Sequence, residues 1–348
     1  MRNRINIVLF LLLVIVIFIP HSKTHAQGAL KFDNPVYKKY GDSLKQMEYR
    51  YALPILGKKA YKKGYDIPFP LGISAVYFTQ RQDINITRTM LGINGGALAD
   101  FSNYISFNPT IATTNAYTVR PDIWILPFLN IYAILGGGTT KTEVSLSSPV
   151  SLNTKQHFGA DSYGIGLTLT GAIGPVWIAL DNNYNWADVE VVVEPIPAYN
   201  ASLRVGHTLA SPYNPQRSLA IWGGVFYQSI QNNTRGSIPL TDVFPNAGSG
   251  ETISVLRNWA EDLPPGQRII ANQIIDGIER LVEGSDPGNI IIEYLLDKEV
   301  AAPFNLIFGA QYQFNKRWIL RTELGVFGKR SQFLLNLNYR FMGFKKRY

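Results

Sequence analysis

Between Ser162 and Gly171 apolar residues alternate one for one with polar or small ones. Tyr163, Ile165, Leu167 and Leu169 fall on one side of an extended chain; Ser162, Gly164, Gly166, Thr168 and Thr170 fall on the other. Successive side chains of a strand point to opposite faces, so this segment has one greasy and one polar face. The pattern recurs. In Ala116 to Ile125, Tyr117, Val119, Ile123 and Ile125 oppose Thr118, Arg120 and Asp122. Leu306, Phe308, Ala310, Tyr312 and Phe314 oppose Asn305, Gly309, Gln311 and Gln313, and Leu320, Thr322, Leu324 and Val326 oppose Arg321, Glu323 and Gly325. Leu335, Leu337, Tyr339 and Phe341 oppose Asn336, Asn338 and Arg340. Segments of about ten residues with this period suit strands that cross a bilayer, and lipid offers no partner to a free sheet edge, so such strands must close into a barrel.

The expected fold is all-β: a transmembrane antiparallel up-and-down β-barrel over residues 67–341, with a helical insertion in a long outer loop. Strands are expected near 71–82, 112–126, 129–146, 158–171, 175–191, 199–210, 218–238, 304–315, 318–328 and 331–341, about ten (8–12), an even number as bacterial barrels require. Gly136-Gly137-Gly138 and Thr139-Thr140 blur the third. Connections should alternate between short inner turns and long outer loops. They do: Pro127-Phe128, Ile173-Gly174-Pro175, Ser211 to Arg217 and Asn315-Lys316-Arg317 are short, whereas 83–111, 147–157, 192–198 and 239–303 are longer. Only the last hairpin, at Gly328-Lys329-Arg330, is shorter than expected on the outer side. Trp124, Phe128, Trp177, Trp186 and Trp318 near strand ends suit interfacial belts.

Residues 1–27 read as a cleaved signal peptide. Arg2 and Arg4 precede an almost unbroken apolar run from Ile5 to Pro20, and Thr24-His25-Ala26 places small residues before a cut at Gln27. These residues carry Arg2, Arg4 and Lys23 but no acid, so the net charge falls from +8 to +5 on cleavage. The excess gathers in lysines between 38 and 63 and in a basic C-terminal extension, 342–348, with Lys345, Lys346 and Arg347. No nucleic-acid motif accompanies it, so it reads as solvated charge beside an anionic membrane. The chain has no cysteine, which excludes disulfides, thiolate metal sites and a cysteine nucleophile. Beyond Gln27 no stretch supplies the ~20 apolar residues of a membrane helix.

The leader, the even set of alternating segments and the terminal run Phe333-Leu334-Leu335-Asn336-Leu337-Asn338-Tyr339-Arg340-Phe341 together resemble Gram-negative outer-membrane β-barrel proteins. The resemblance implies Sec-type export, residence among outer-membrane lipids, and recognition by barrel-assembly machinery through the last strand ending at Phe341. Here Met342 to Tyr348 runs past that aromatic. The likeness is architectural and implies no particular activity.

Two regions fall outside the strand pattern. Residues 28–66 form an N-terminal periplasmic segment or plug, with a helix expected from Pro35 to Met47. The insertion at about 245–300 carries a stripe of Ile270, Ile274, Ile278 and Leu281 at helical spacing, opened by Pro264-Pro265-Gly266 and stopped by Gly284 and Pro287. A preceding helix is expected over Glu251 to Glu261, and Ile290 to Leu296 reads as a short strand or helix.

Catalytic chemistry has little to work with. Past the leader only His157 and His207 remain. His157 lies at the outer end of a strand near Asp161 and Ser162, but parity sends those two to opposite faces, so both cannot serve it. His207 shares the lipid face with Leu203, Val205 and Leu209. No metal-ligand spacing occurs, no cofactor is called for, and Gly136-Gly137-Gly138 lacks the following helix and Lys-Ser/Thr of a phosphate loop. More informative are the charges expected to face inward: Arg120, Asp122, Asp181, Arg204, Arg321, Glu323 and Arg340. Buried singly they are costly, so pairing across a narrow lumen is expected. The expected function is a non-enzymatic, narrow-lumen binding or passage protein gated by its helical insertion. The alternatives are a surface structural or adhesion barrel whose insertion contacts a partner, and a lipid-modifying enzyme using His157.

Overall fold

The computed structural model describes residues 35–149, 151–173, 175–190, 192, 194–230, 233–243, 250–283 and 290–345; the expected signal peptide and residues 28–34 lie outside them. Ten strands close the barrel: β1 (Leu71–Ile93), β4 (Thr110–Leu126), β5 (Leu129–Ser148), β6 (Leu152–Ile173), β7 (Val176–Val189), β8 (Ile196–Ala210), β9 (Ser218–Ile230), β12 (Phe304–Gln313), β13 (Trp318–Gly325) and β14 (Arg330–Phe341). Closure runs through β1, which pairs antiparallel with β4 from Leu71↔Ile123 to Ile84↔Thr110 and with β14 from Leu71↔Phe341 to Gln82↔Arg330. All other wall pairs join sequence neighbours, except β9 with β12.

The alternation sorts as the period of two requires. Val119, Leu135, Ile165 and Phe308 stand exposed on the outside, while Ser74, Asn130, Arg204 and Asn338 are buried inside. An apolar outer band around a polar interior is the arrangement of a barrel in lipid. No described helix is long and apolar enough to cross a membrane.

Parity also corrects the belt assignment. Trp124 lies on the lumen face of β4 with Asp122, under the Arg340 guanidinium, and Trp177 packs inside against Trp222 at 5.8 Å. Trp186 stacks on outward Tyr163, and Trp318 meets outward Tyr339.

The strands run past the expected ends, so several outer loops are shorter than 83–111 and 147–157 suggested. Above Gln82, where the short β13–β14 hairpin ends, β1 continues to Ile93. It takes a new partner there, β11 (Ile291–Val300), from Ile84↔Val300 to Ile93↔Ile292. The expected strand 218–238 is two strands, β9 and β10 (Asn233–Pro239), and β10 pairs with β11. On this ribbon sit α3 (Leu240–Val243), α4 (Gly250–Glu261) and α5 (Pro265–Val282), together with the short strand β2 (Ala99–Asp100) of the first outer loop, whereas β3 (Ser106–Phe107) of the same loop pairs with β5.

At the inner end, α1 (Pro35–Gln46) and α2 (Gly57–Lys62) cross the barrel mouth. The Tyr37 hydroxyl donates to the Ser211 carbonyl in the β8–β9 turn at 2.8 Å, Ile55 N–H to the Ile125 carbonyl of β4 at 2.9 Å, and Ala52 N–H to Phe344 O beyond β14 at 3.0 Å. The β8–β9 turn lies across the ring from β1 and β4, so these contacts span the opening. Lys316 of the β12–β13 turn pairs with Asp66 at 2.8 Å, and Tyr40 donates to the same carboxylate at 2.9 Å. Burial, then the Asp66 charge, pushes the Tyr40 phenol up to about 12. Burial alone would lower Lys316, but the Asp66 charge and the hydrogen bonds to Asp66 and Tyr40 outweigh it and raise the ammonium.

Candidate functional site

The interior is layered with polar side chains from inner to outer end. In the inner layer Arg340 donates through Nη2 to Asp122 Oδ1 at 2.8 Å and through Nε to the Phe69 carbonyl at 2.8 Å. Asn130 and Asn338 complete the Asp122 carboxylate at 2.7 and 3.2 Å.

The middle layer spans the lumen. Arg204 on β8 grips Glu323 on β13 with two donors, Nε at 2.7 Å and Nη2 at 3.2 Å, and reaches Asp181 on β7 at 3.5 Å. Arg321 Nη2 and Trp222 Nε1 also donate to Glu323, at 3.1 and 3.0 Å. Tyr132 on β5 donates to Asp181 at 2.5 Å, and Arg120 sits over the Tyr132 ring at 6.0 Å. Two glycines make the arrangement possible. A Cβ at Gly166 would lie 2.2 Å from the Tyr132 ring, and one at Gly309 2.3 Å from the Trp222 indole, so bare backbone lets these large rings lie flat across neighbouring strands.

In the outer layer Arg330 donates to Gln82 at 3.0 Å and lies over Phe226, while Gln80 of β1 donates to Gln228 of β9 at 3.1 Å. The side chains are tightly enclosed: Arg204 is 7 % exposed, Glu323 3 %, Arg340 5 % and Arg330 2 %. Ions this dry need compensation: Arg204, Glu323 and Arg340 have it in ion pairs, and Arg330 in hydrogen bonds to Gln82 and the Pro303 carbonyl.

Six of the seven charges read from the sequence are thus drawn into ion pairs: Arg340 with Asp122, and Arg204, Asp181, Arg321 and Glu323 with one another. Arg120 reaches no carboxylate within 4.0 Å among the described residues and rests on Tyr132. Pattern reading missed Tyr132, Trp222 and Arg330. Tyr132 and Trp222 carry no charge, and Arg330, a hairpin residue by pattern, opens β14.

The insertion stripe turns by about one residue from expectation. Of the expected stripe Ile278 is buried, together with Ala271, Ile275 and Gly277, while Ile270, Ile274 and Leu281 flank them, partly buried. They pack with Leu256, Ala260 and Leu263 of the α4 region and with Leu240, Phe101 and Ile292. The core is therefore closed by β1's outward extension, the first outer loop and β11. Arg257 of α4 clasps Asp276 and Glu279 of α5 at 2.7 and 2.6 Å.

His157 lies within β6, paired with Lys141, on the outward face with Asp161; Ser162 points the other way. His207 donates through Nδ1–H to the Pro175 carbonyl at 3.0 Å at the inner rim. Among the described residues no group of three or more His, Cys, Asp or Glu could hold a metal.

No protein-family model matches the chain, and no curated protein matches it. Among solved structures it is similar to the β domain of the Bordetella autotransporter BrkA, at 7 % identity over 78 % of this chain and 100 % of that one, with a TM-score of 0.37. It is similar also to the transport unit of the autotransporter AIDA-I from Escherichia coli, at 10 % identity over 78 % and 90 % of the two chains, TM-score 0.33. A third is an outer membrane channel from Pseudomonas putida F1, at 12 % identity over 79 % and 96 %, TM-score 0.28. By its own architecture the chain is a closed, ten-stranded antiparallel β-barrel with an apolar outside and a polar inside, the arrangement of a membrane-spanning barrel.

Proposed function

We propose that this barrel is a non-enzymatic membrane anchor that displays its helical insertion as a folded contact module on the outer surface. The proposal includes delivery by the export signal in residues 1–27 and assembly through β14, whose last residue is Phe341. The observation that carries it is where the insertion buries its apolar stripe: in a core shared with β1's extension and the first outer loop rather than against the barrel lumen. Gating by the insertion has no such support. The three polar layers favour a closed interior, since a barrel of about ten strands leaves little space once its side chains are placed.

Single-channel conductance tests it, on the intact protein and on a variant in which residues 244–289 are replaced by a short linker that keeps the β10–β11 ribbon. Both should conduct next to nothing, and only the variant should lose binding of cells or surface ligands. Large, steady conductance from the intact protein sinks the closed-lumen reading, and conductance appearing only in the variant restores the gating one. A second reading, a passage protein opened from the inner side, draws on the cap of residues 35–66 spanning the mouth. It requires conductance on deleting that cap.

A further inference from the structure

On the lipid side of the closing strand the wall has a hollow. The row through Ala75 runs Leu320, Leu337, Ala75, Val119, Leu135 across β13, β14, β1, β4 and β5, each pair in direct register. Ala75 is the one small side chain in it, so the leucines and valine form walls and Ala75 the floor of a groove of about 480 Å³. Tyr77 and Tyr117, ring centroids 5.0 Å apart, bound it on the outer side. Two residues toward the inner rim the row is Trp318, Tyr339, Ile73. There Arg317 donates to the Tyr339 hydroxyl at 3.1 Å with its guanidinium over the Tyr339 and Phe69 rings, and no described carboxylate lies within 4.0 Å of it. The turn fixes its backbone: Asn315 Oδ1 accepts from the N–H groups of Arg317 and Trp318 at 2.7 and 3.0 Å.

We propose that this is a seat for one phospholipid of the inner leaflet, its phosphate on Arg317 and an acyl chain in the groove over Ala75. Strands rise about 3.3 Å per residue, so the Ala75 row lies roughly 7 Å from the aromatic row and the tyrosine pair roughly 13 Å from it. A headgroup at the belt therefore places the upper methylenes of its chain in the hollow. Charge complementarity selects the occupant. A guanidinium with no carboxylate partner at headgroup depth offers fork geometry to phosphate oxygens, and the groove beside it offers mainly apolar surface. The site rests on the membrane reading above.

The test uses the full-length protein in detergent, titrated with phosphatidylglycerol and, separately, with diacylglycerol, which has the chains without the phosphate. Phosphatidylglycerol should be retained and diacylglycerol should bind about tenfold more weakly, as expected for losing one charge-assisted hydrogen-bonded contact. Arg317→Gln should erase that difference, and Ala75→Leu, which fills the hollow without touching the lumen, should weaken both lipids. Equal binding of the two lipids, or retention unchanged in both variants while the unheated barrel still migrates as folded, overturns the site alone. Efficient disulfide formation between copies carrying Ala75→Cys, in a chain otherwise free of cysteine, overturns it in favour of a second copy on this face. Recovery of the protein in soluble form overturns the site and the membrane reading together.

Discussion

The two ends of the barrel are covered by different physics. The outer module shares an apolar core and is joined to β1 by a run of backbone pairs from Ile84↔Val300 to Ile93↔Ile292. The inner cap is held by scattered contacts: the Tyr37–Ser211 and Ile55–Ile125 hydrogen bonds, and the Lys316–Asp66–Tyr40 cluster. A contiguous core and a strand ladder come apart together or not at all, whereas point contacts can be lost one at a time. If one end of this barrel opens without unfolding, it is the inner one.

The largest effect should come from the outer core. Ile275→Ala removes most of a side chain that is 1 % exposed and should cost the module about 2–5 kcal/mol. Limited proteolysis should then cut within residues 240–290 while the wall and cap stay protected. Cleavage at the cap as well would mean that the ends are coupled, and the contrast would fail. Lys316→Met should cost less, about 1–2 kcal/mol, because the pair is partly hydrated. Its expected signature is release of a fluorophore attached at Lys58→Cys, with the outer module unchanged.

The same probe reads the pH dependence. Tyr40 and Lys316 are both raised in the docked cap, so their contribution is complete below the ordinary phenol value near 10 and declines as pH rises toward 12. The cap should stay docked at pH 7–9 and leave between pH 10 and 12, before the wall opens. A cap that detaches at pH 8 would contradict this assignment. Smallest is Trp124→Leu, which takes the indole from beneath Arg340 at the floor of the lumen and should lower stability by about 0.5–1 kcal/mol. A fall of that order in the temperature at which the unheated gel band converts would set the inner polar layer beside the cap as a separate support. A change several times larger would make them one unit.

The wall was legible because its signal is local. Alternation in Ser162 to Gly171 or Phe333 to Phe341 needs no knowledge of any partner. The inward charges follow from the same parity, and so does the lumen placement of Trp124, which shares a face with Arg120 and Asp122; nearness to a strand end is the weaker signal. The outer half of β1 was not legible, since residues 84–93 are held as strand by β11, some two hundred positions later in the chain. The offset of the α5 stripe has a plain cause. Ala271 packs in the core but contributes too little bulk to mark it, and of the adjacent Ile274 and Ile275, equal in size, only the second is buried, which spacing alone does not distinguish. The cap contacts join side chains and carbonyls far apart in sequence, and no periodicity encodes them.

β1 is the first wall strand to leave the export machinery, yet beyond β4 and the two-residue β2 its partners come near the end of the chain: β11 at Ile291–Val300 and β14 at Arg330–Phe341. Contacts this distant in sequence make folding slow, because the entropy of closing the loop is lost before any pairing compensates it. The strand that seals the cylinder also forms one edge of the outer core, so sealing and completion of the module converge on a single late event. An assembly intermediate of this chain should therefore show β4 through β9 protected from exchange while β1 above Gln82 and helix α5 remain open, and the two should become protected at the same rate.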